Sequence, residues 1–167
     1  MIAVDVESTG TEANKHSILS VGAVDMSNPG RFFYEECRAW EGAKIEDEAL
    51  AVNGFSREEA IDSKKQSEAE LVHKFITWAL ETPEQTFAGQ NPSFDRDFLR
   101  EAAQRAGHTD LNAMIGAGIL AEALQHVHVR AGVARGGGPN GITTRINAAP
   151  VEHIEGCLGL GDHRSNT

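Results

Sequence analysis

The opening strand, and the spacing of the runs after it, constrain this chain more than any other feature. Ile2, Val4 and Val6 alternate with Ala3, Asp5 and Glu7, the period of two that gives a β-strand one apolar face. Ser8-Thr9-Gly10 closes the run as a turn. Two more strand-like runs occupy residues 16–26 and 31–40, separated by Asn28-Pro29-Gly30. A link that short allows only an antiparallel hairpin. The chain therefore commits at once to a sheet whose first three strands are antiparallel.

The pattern then changes. Ser67 and Glu70 form a capping box, and Leu71, Phe75 and Ala79 recur at helical spacing through Trp78 and Leu80 until Thr82-Pro83 stops them. Residues 86–89 read as a short buried strand, and Gln90-Asn91-Pro92 leads into a helix capped by Ser93 that runs through Phe94, Phe98 and Ala102 to Gly107. The order β-β-β-α-β-α predicts an α/β fold with a mixed sheet flanked by helices. Beyond Gly107, residues 111–129 read as a helix containing Gly116 and Gly118, residues 130–150 as a flexible Gly-rich loop, and 151–158 as a short helix.

A length of 167 residues suits one domain over 1–167, and 40% hydrophobic against 24% charged residues is enough to bury a core. No apolar run nears the roughly 20 residues of a membrane helix. Asp5 comes too early for a cleavable signal, and Cys37 and Cys157 form no CxxC pair. A cytoplasmic protein without a membrane partner is the expectation. With 15 Lys+Arg against 25 Asp+Glu, the net charge of -10 argues against gripping long duplex DNA. A nucleic-acid end remains open as a substrate if divalent cations bring the positive charge.

Asp5 and Glu7, at i and i+2 of a strand, project from the same face. Such a pair is either a solvated acidic face or a cation site, and its hard oxygens suit Mg²⁺ or Mn²⁺. Asp95, in the first turn of a helix, either complements the helix dipole or leans over the strand ends as a further ligand. Together the three supply carboxylates from separate elements, as a two-metal centre requires. His126 and His128 read as a surface pair. Gly136-Gly137-Gly138 lacks the Lys-Ser/Thr of a phosphate loop. Among Phe32, Phe33, Tyr34 and Trp40 some belong to the core, and Cys157 has no partner pattern for a nucleophile.

The stretch Val4-Asp5-Val6-Glu7-Ser8-Thr9-Gly10 resembles the first motif of the DEDDh, or DnaQ-like, 3′–5′ exonucleases. Asn91 to Asp95 resembles their second motif, and Val52-Asn53-Gly54-Phe55-Ser56 is similar to their V-x-G-[IF]-[ST] element. The resemblance covers residues 1 to about 107. The third motif, H-x-x-x-x-D, is matched only by His163, after which the chain ends one residue before the aspartate, so a C-terminally truncated domain is expected. The resemblance implies an RNase H-like fold and two Mg²⁺ or Mn²⁺ ions held by Asp5, Glu7 and Asp95, with His163 as general base. It also implies that Ser8, Thr9, Gly10, Phe55, Asn91 and Phe94 bind the 3′ end of single-stranded DNA or RNA. A second copy of the chain or a polymerase is the candidate protein partner. The alternatives are an exonuclease-like binding module with weak or no catalysis, and an endonuclease on the same scaffold.

Overall fold

Strand β1 (Ile2–Ser8) is an inner strand of a four-stranded sheet. It pairs antiparallel with β2 (Ile18–Asp25), which pairs antiparallel with β3 (Phe32–Glu36); the two-residue β4 (Phe87–Ala88) runs parallel to β1 on the other side. This computed structural model describes residues 1–108. The elements expected at 111–129, 130–150 and 151–158, with His126, His128, Cys157 and His163, lie outside the described residues.

The alternation in β1 decides which face is covered. Ile2, Val4 and Val6 share one face with Val21 and Ala23, the partners of Val6 and Val4, and with Phe33 beside Ala23. Helix α3 (Glu68–Leu80) packs Leu71, Val72, Phe75 and Ala79 into that core, and α4 (Pro92–Arg105) adds Phe98, Leu99, Ala102 and Ala103. Each buried Val, Leu or Phe contributes about 1.5–3 kcal/mol, and Phe33 meets Phe75 edge-on at 5.6 Å. Asp5 and Glu7 consequently project from the opposite face.

A bulge in β2 builds a second, smaller core. Glu7 pairs with Ser20 and Ser8 with Ile18, so Leu19 is the extra residue. Leu19 leaves the main core and packs with Leu50, Phe55 and Ala60, which seats α1 (Asp47–Asn53) and α2 (Arg57–Ala60). Neither helix is expected from the sequence, because seven and four residues are too few to display a helical period. Gly54, at φ 74°, ends α1, and Ser56 with Glu59 forms a capping box on α2. The box of Ser67 and Glu70 on α3 is present as the sequence suggests.

Some boundaries differ from expectation. Strand β2 begins at Ile18 because His16 turns inward, and β3 ends at Glu36 before the chain crosses toward α1. Ser93 does not cap α4; the helix starts at Pro92 with Asn91 in the cap position, and no side chain caps it. Proline's fixed φ suits the first helical position, so the start moves two residues earlier. No helix among the described residues is long and apolar enough to cross a membrane.

One buried ion pair joins the layers. Glu68, only 3% exposed, receives hydrogen bonds from the Ile18 amide (2.9 Å), the Ser17 hydroxyl (3.0 Å) and the Arg105 guanidinium (2.9 and 3.0 Å). Arg105 also reaches the Ala13 carbonyl and lies over the Trp40 ring. This cluster ties the start of α3 and the end of α4 to the start of β2. Removing the cation strands a buried carboxylate, so Arg105→Met should cost about 3–5 kcal/mol in urea unfolding. Glu68→Gln keeps an acceptor for the Ile18 amide and leaves a guanidinium that reaches water, so it should cost less, about 1–3 kcal/mol. The reverse order would contradict this role for the pair.

Candidate active site

The site grows out of the short length of β4. Along β1 successive peptide groups point to alternate edges. The Ile2 amide donates to the Thr86 carbonyl at 2.8 Å across the β4 edge. Four residues on, β4 has ended, and the Val6 amide of the same parity donates instead to Asp95 Oδ1 at 2.9 Å. Asp95 thus takes the place of a strand partner between Asp5 and Glu7. Gly89 permits this: a Cβ there would stand 2.9 Å from the Val4 carbonyl oxygen and 3.4 Å from Asp95 Oδ2. Only a glycine lets the chain pass that close on its way into α4.

The three carboxylates feel one another. Burial, then the charges of Asp5 and more weakly Glu7, push Asp95 up to about 7 against the pull of the Val6 amide. Burial and the charge of Asp5 push Glu7 up to about 7, and burial raises Asp5. Desolvated like charges held together are what a bound cation relieves. Among the described residues no three His, Cys, Asp or Glu side chains already converge as a metal cage. The donor chemistry nevertheless fits a hard divalent ion: oxygen ligands only, mutually repelling, with Asp95 held at one oxygen by a backbone amide.

The turn after β1 is tightly engaged. Ser8 Oγ donates to the Gly10 carbonyl (2.6 Å), and Thr9, fully buried, donates from its hydroxyl to the Lys44 carbonyl (2.6 Å). The Thr9 amide donates to Ser17 and the Thr9 carbonyl accepts from Glu46, both at 2.9 Å. That amide is therefore already engaged within the fold. The buried His16 ring occupies the place where a Cβ on Gly10 would go, 2.3 Å from Cδ2. Its Nδ1 lies 3.0 Å from both the amide nitrogen and the carbonyl oxygen of Glu12, and its Nε2 lies 3.1 Å from Glu46 Oε1.

The aromatic candidates are placed differently from the 3′-end contacts implied by the resemblance. Phe55 is 8% exposed and sits in the small core with Leu19 and Leu50, so in this conformation it presents no face to a base. Phe94 is half-buried against Phe98, with ring centroids 4.7 Å apart. Asn91 is exposed and makes no side-chain cap bond. One residue missed by sequence reasoning as a separate participant is Asn53, whose Nδ2 donates to the Ser8 carbonyl at 2.6 Å. Nothing in a seven-residue helix announces it.

The coupled carboxylates make the stability of the fold depend on pH and on metal. Glu7 and Asp95 keep their protons to about 7 when folded, against ordinary values of 4.5 and 3.8. The folded state thus binds more protons between about pH 4 and 7, and stability in EDTA should fall as pH rises through that window. Mn²⁺ should restore Tm at pH 8 and lose its effect below about pH 6; a flat profile in EDTA would contradict the coupling. Gly89→Ala should raise the Mn²⁺ midpoint for that Tm shift about tenfold by displacing Asp95, and an unchanged midpoint would show that Gly89 does not place that carboxylate.

No family model matches the chain. Solved structures do match its fold. E. coli exonuclease I in complex with a dA16 oligonucleotide aligns with TM-score 0.56 and 18% identity over 66% of this chain and 25% of that one. A moderately thermophilic exonuclease I from Methylocaldum szegediense gives TM-score 0.54 and 22% identity over 63% and 23%. A zinc-bound E. coli exonuclease I–single-stranded DNA complex gives TM-score 0.53 and 19% identity over 63% and 23%. The chain spans about a quarter of the length of these proteins. Its mixed sheet with flanking helices is the RNase H-like fold that exonuclease I also has.

Proposed function

We propose that this chain is a metal-dependent 3′–5′ exonuclease that hydrolyses phosphodiesters at the 3′ end of single-stranded nucleic acid. The observation that carries the reading is the set of three charge-coupled carboxylates, Asp5, Glu7 and Asp95, on the fold of exonuclease I. The oligonucleotides bound to the similar exonuclease I structures, dT13 and dA16, favour DNA over RNA as the strand. Asp5, Glu7 and Asp95 would hold two Mg²⁺ or Mn²⁺ ions. When bound, such ions supply a hydroxide nucleophile and stabilise the leaving 3′ oxygen.

The chain's own residues orient the reaction. Asp95 is fixed by the Val6 amide, so its second oxygen is the one available to a ligand. Asp5 and Glu7 carry the negative charge that draws cations to a protein of net charge -10, and those cations draw the phosphate. By resemblance the general base is His163, an imidazole being the side chain best suited to take a proton near neutral pH.

The test measures nucleotide release from 5′-labelled single-stranded DNA and RNA with Mn²⁺ and with EDTA. A Mn²⁺-dependent ladder shortened from the 3′ end is expected, stronger on DNA, and Asp5→Ala or Asp95→Ala should reduce it to background with the fold intact by circular dichroism. Binding of the oligonucleotide without turnover would favour a non-cutting module, and cleavage of a circular strand would favour an endonuclease. Undiminished activity in either alanine variant would falsify the assignment.

A further inference from the structure

The open edge of β1 is closed by two side chains, Asp95 and Asn53, and the second lies outside the carboxylate set. The extra residue of the bulge lies on β2, so β1 keeps its alternation to the end. Thr9 turns its amide to Ser17 on the β2 side. Ser8 has the parity of Ile2 and Val6, so its carbonyl opens on the edge that β4 has left. That carbonyl accepts Asn53 Nδ2 at 2.6 Å, just as the Val6 amide, two residues before, is met by Asp95. An acceptor from α4 and a donor from α1 thus stand in for the missing length of β4 and bracket Glu7.

The fold provides for this contact. The bulge sends Leu19 into the small core, where Leu50 and Phe55 anchor the two ends of the α1 turn. Gly54 ends the helix immediately after Asn53, its amide closing on the Leu50 carbonyl. The side chain of Asn53 is therefore delivered from a rigid helix end. From this geometry we infer that Asn53 is a positioning residue: through the Ser8 carbonyl it fixes the end of β1 and with it the direction in which Glu7 presents its carboxylate to the metal. This deepens the proposed nuclease reading and rests on it for what the clamp serves.

The experiment compares Asn53→Leu, which has similar volume and no donor, with Ser56→Ala, which weakens the same corner by removing the cap of α2 and leaves Ser8 untouched. Amide hydrogen exchange in EDTA tests the clamp without any metal. The Leu variant should exchange about tenfold faster at Val6 and Thr9, and the Ala variant should not. The Mn²⁺ midpoint of the Tm shift tests what the clamp is for. It should rise tenfold to a hundredfold in Asn53→Leu, with kcat falling and KM for the oligonucleotide held, and stay put in Ser56→Ala. Unchanged exchange at Thr9 in Asn53→Leu overturns the clamp. Selective exchange with an unmoved Mn²⁺ midpoint overturns the positioning of Glu7. A wild-type chain whose Tm ignores Mn²⁺, with the exchange difference present, overturns the metal reading and the role drawn from it while the clamp stands.

Discussion

A single hydrogen bond, from the Val6 amide to Asp95 Oδ1, sets the geometry on which the candidate site depends. It exists because β4 is two residues long and leaves the far half of one β1 edge without a strand. A buried amide with no partner costs about 1–3 kcal/mol, so the edge demands an acceptor, and a carboxylate in the first turn of the next helix provides it. The same bond decides that α4 starts beside the two acidic residues of β1. Strand length, helix position and the placement of Asp95 are thus one constraint.

The arrangement carries an energetic cost that the surrounding structure offsets. Three carboxylates raised by burial, with Glu7 and Asp95 raised further by their neighbours' charges, destabilise the metal-free fold at neutral pH. What holds them there is apolar: the Ile2, Val4, Val6 face of β1 packed on α3 and α4, and the Glu68–Arg105 pair that fixes those two helices to β2. Functional sites are commonly kept strained by a scaffold that is well packed elsewhere. Here the strain is electrostatic: Asp5 and Glu7 project from the sheet face opposite the large core, and Asp95 meets the β1 edge beside them.

Much of the fold is legible in the sequence because its signals are local. The β1 alternation, the Asn28-Pro29-Gly30 turn and the Ser67–Glu70 box each act within a few residues, and all appear in the structure. Asp5, Glu7 and Asp95 stand out as candidates by residue type and spacing, while their mutual coupling requires the fold. The features that escape depend on distant partners. The bulge at Leu19 has no sequence mark, since Leu19 is apolar like its neighbours, and without it α1, the burial of Phe55 and the reach of Asn53 cannot be foreseen. His16 reads as a strand residue, yet its ring fills the space beside Gly10.

The central claim is that Asp5, Glu7 and Asp95 form one cation site at the open edge of β1. A crystal of the chain soaked in Mn²⁺, with anomalous diffraction recorded at the manganese edge, tests it most directly. The expected result is anomalous density within coordination distance of carboxylate oxygens from all three residues, with the Val6 amide still on Asp95. Manganese elsewhere on the surface, or density touching Asp5 and Glu7 while Asp95 stays apart, would contradict it.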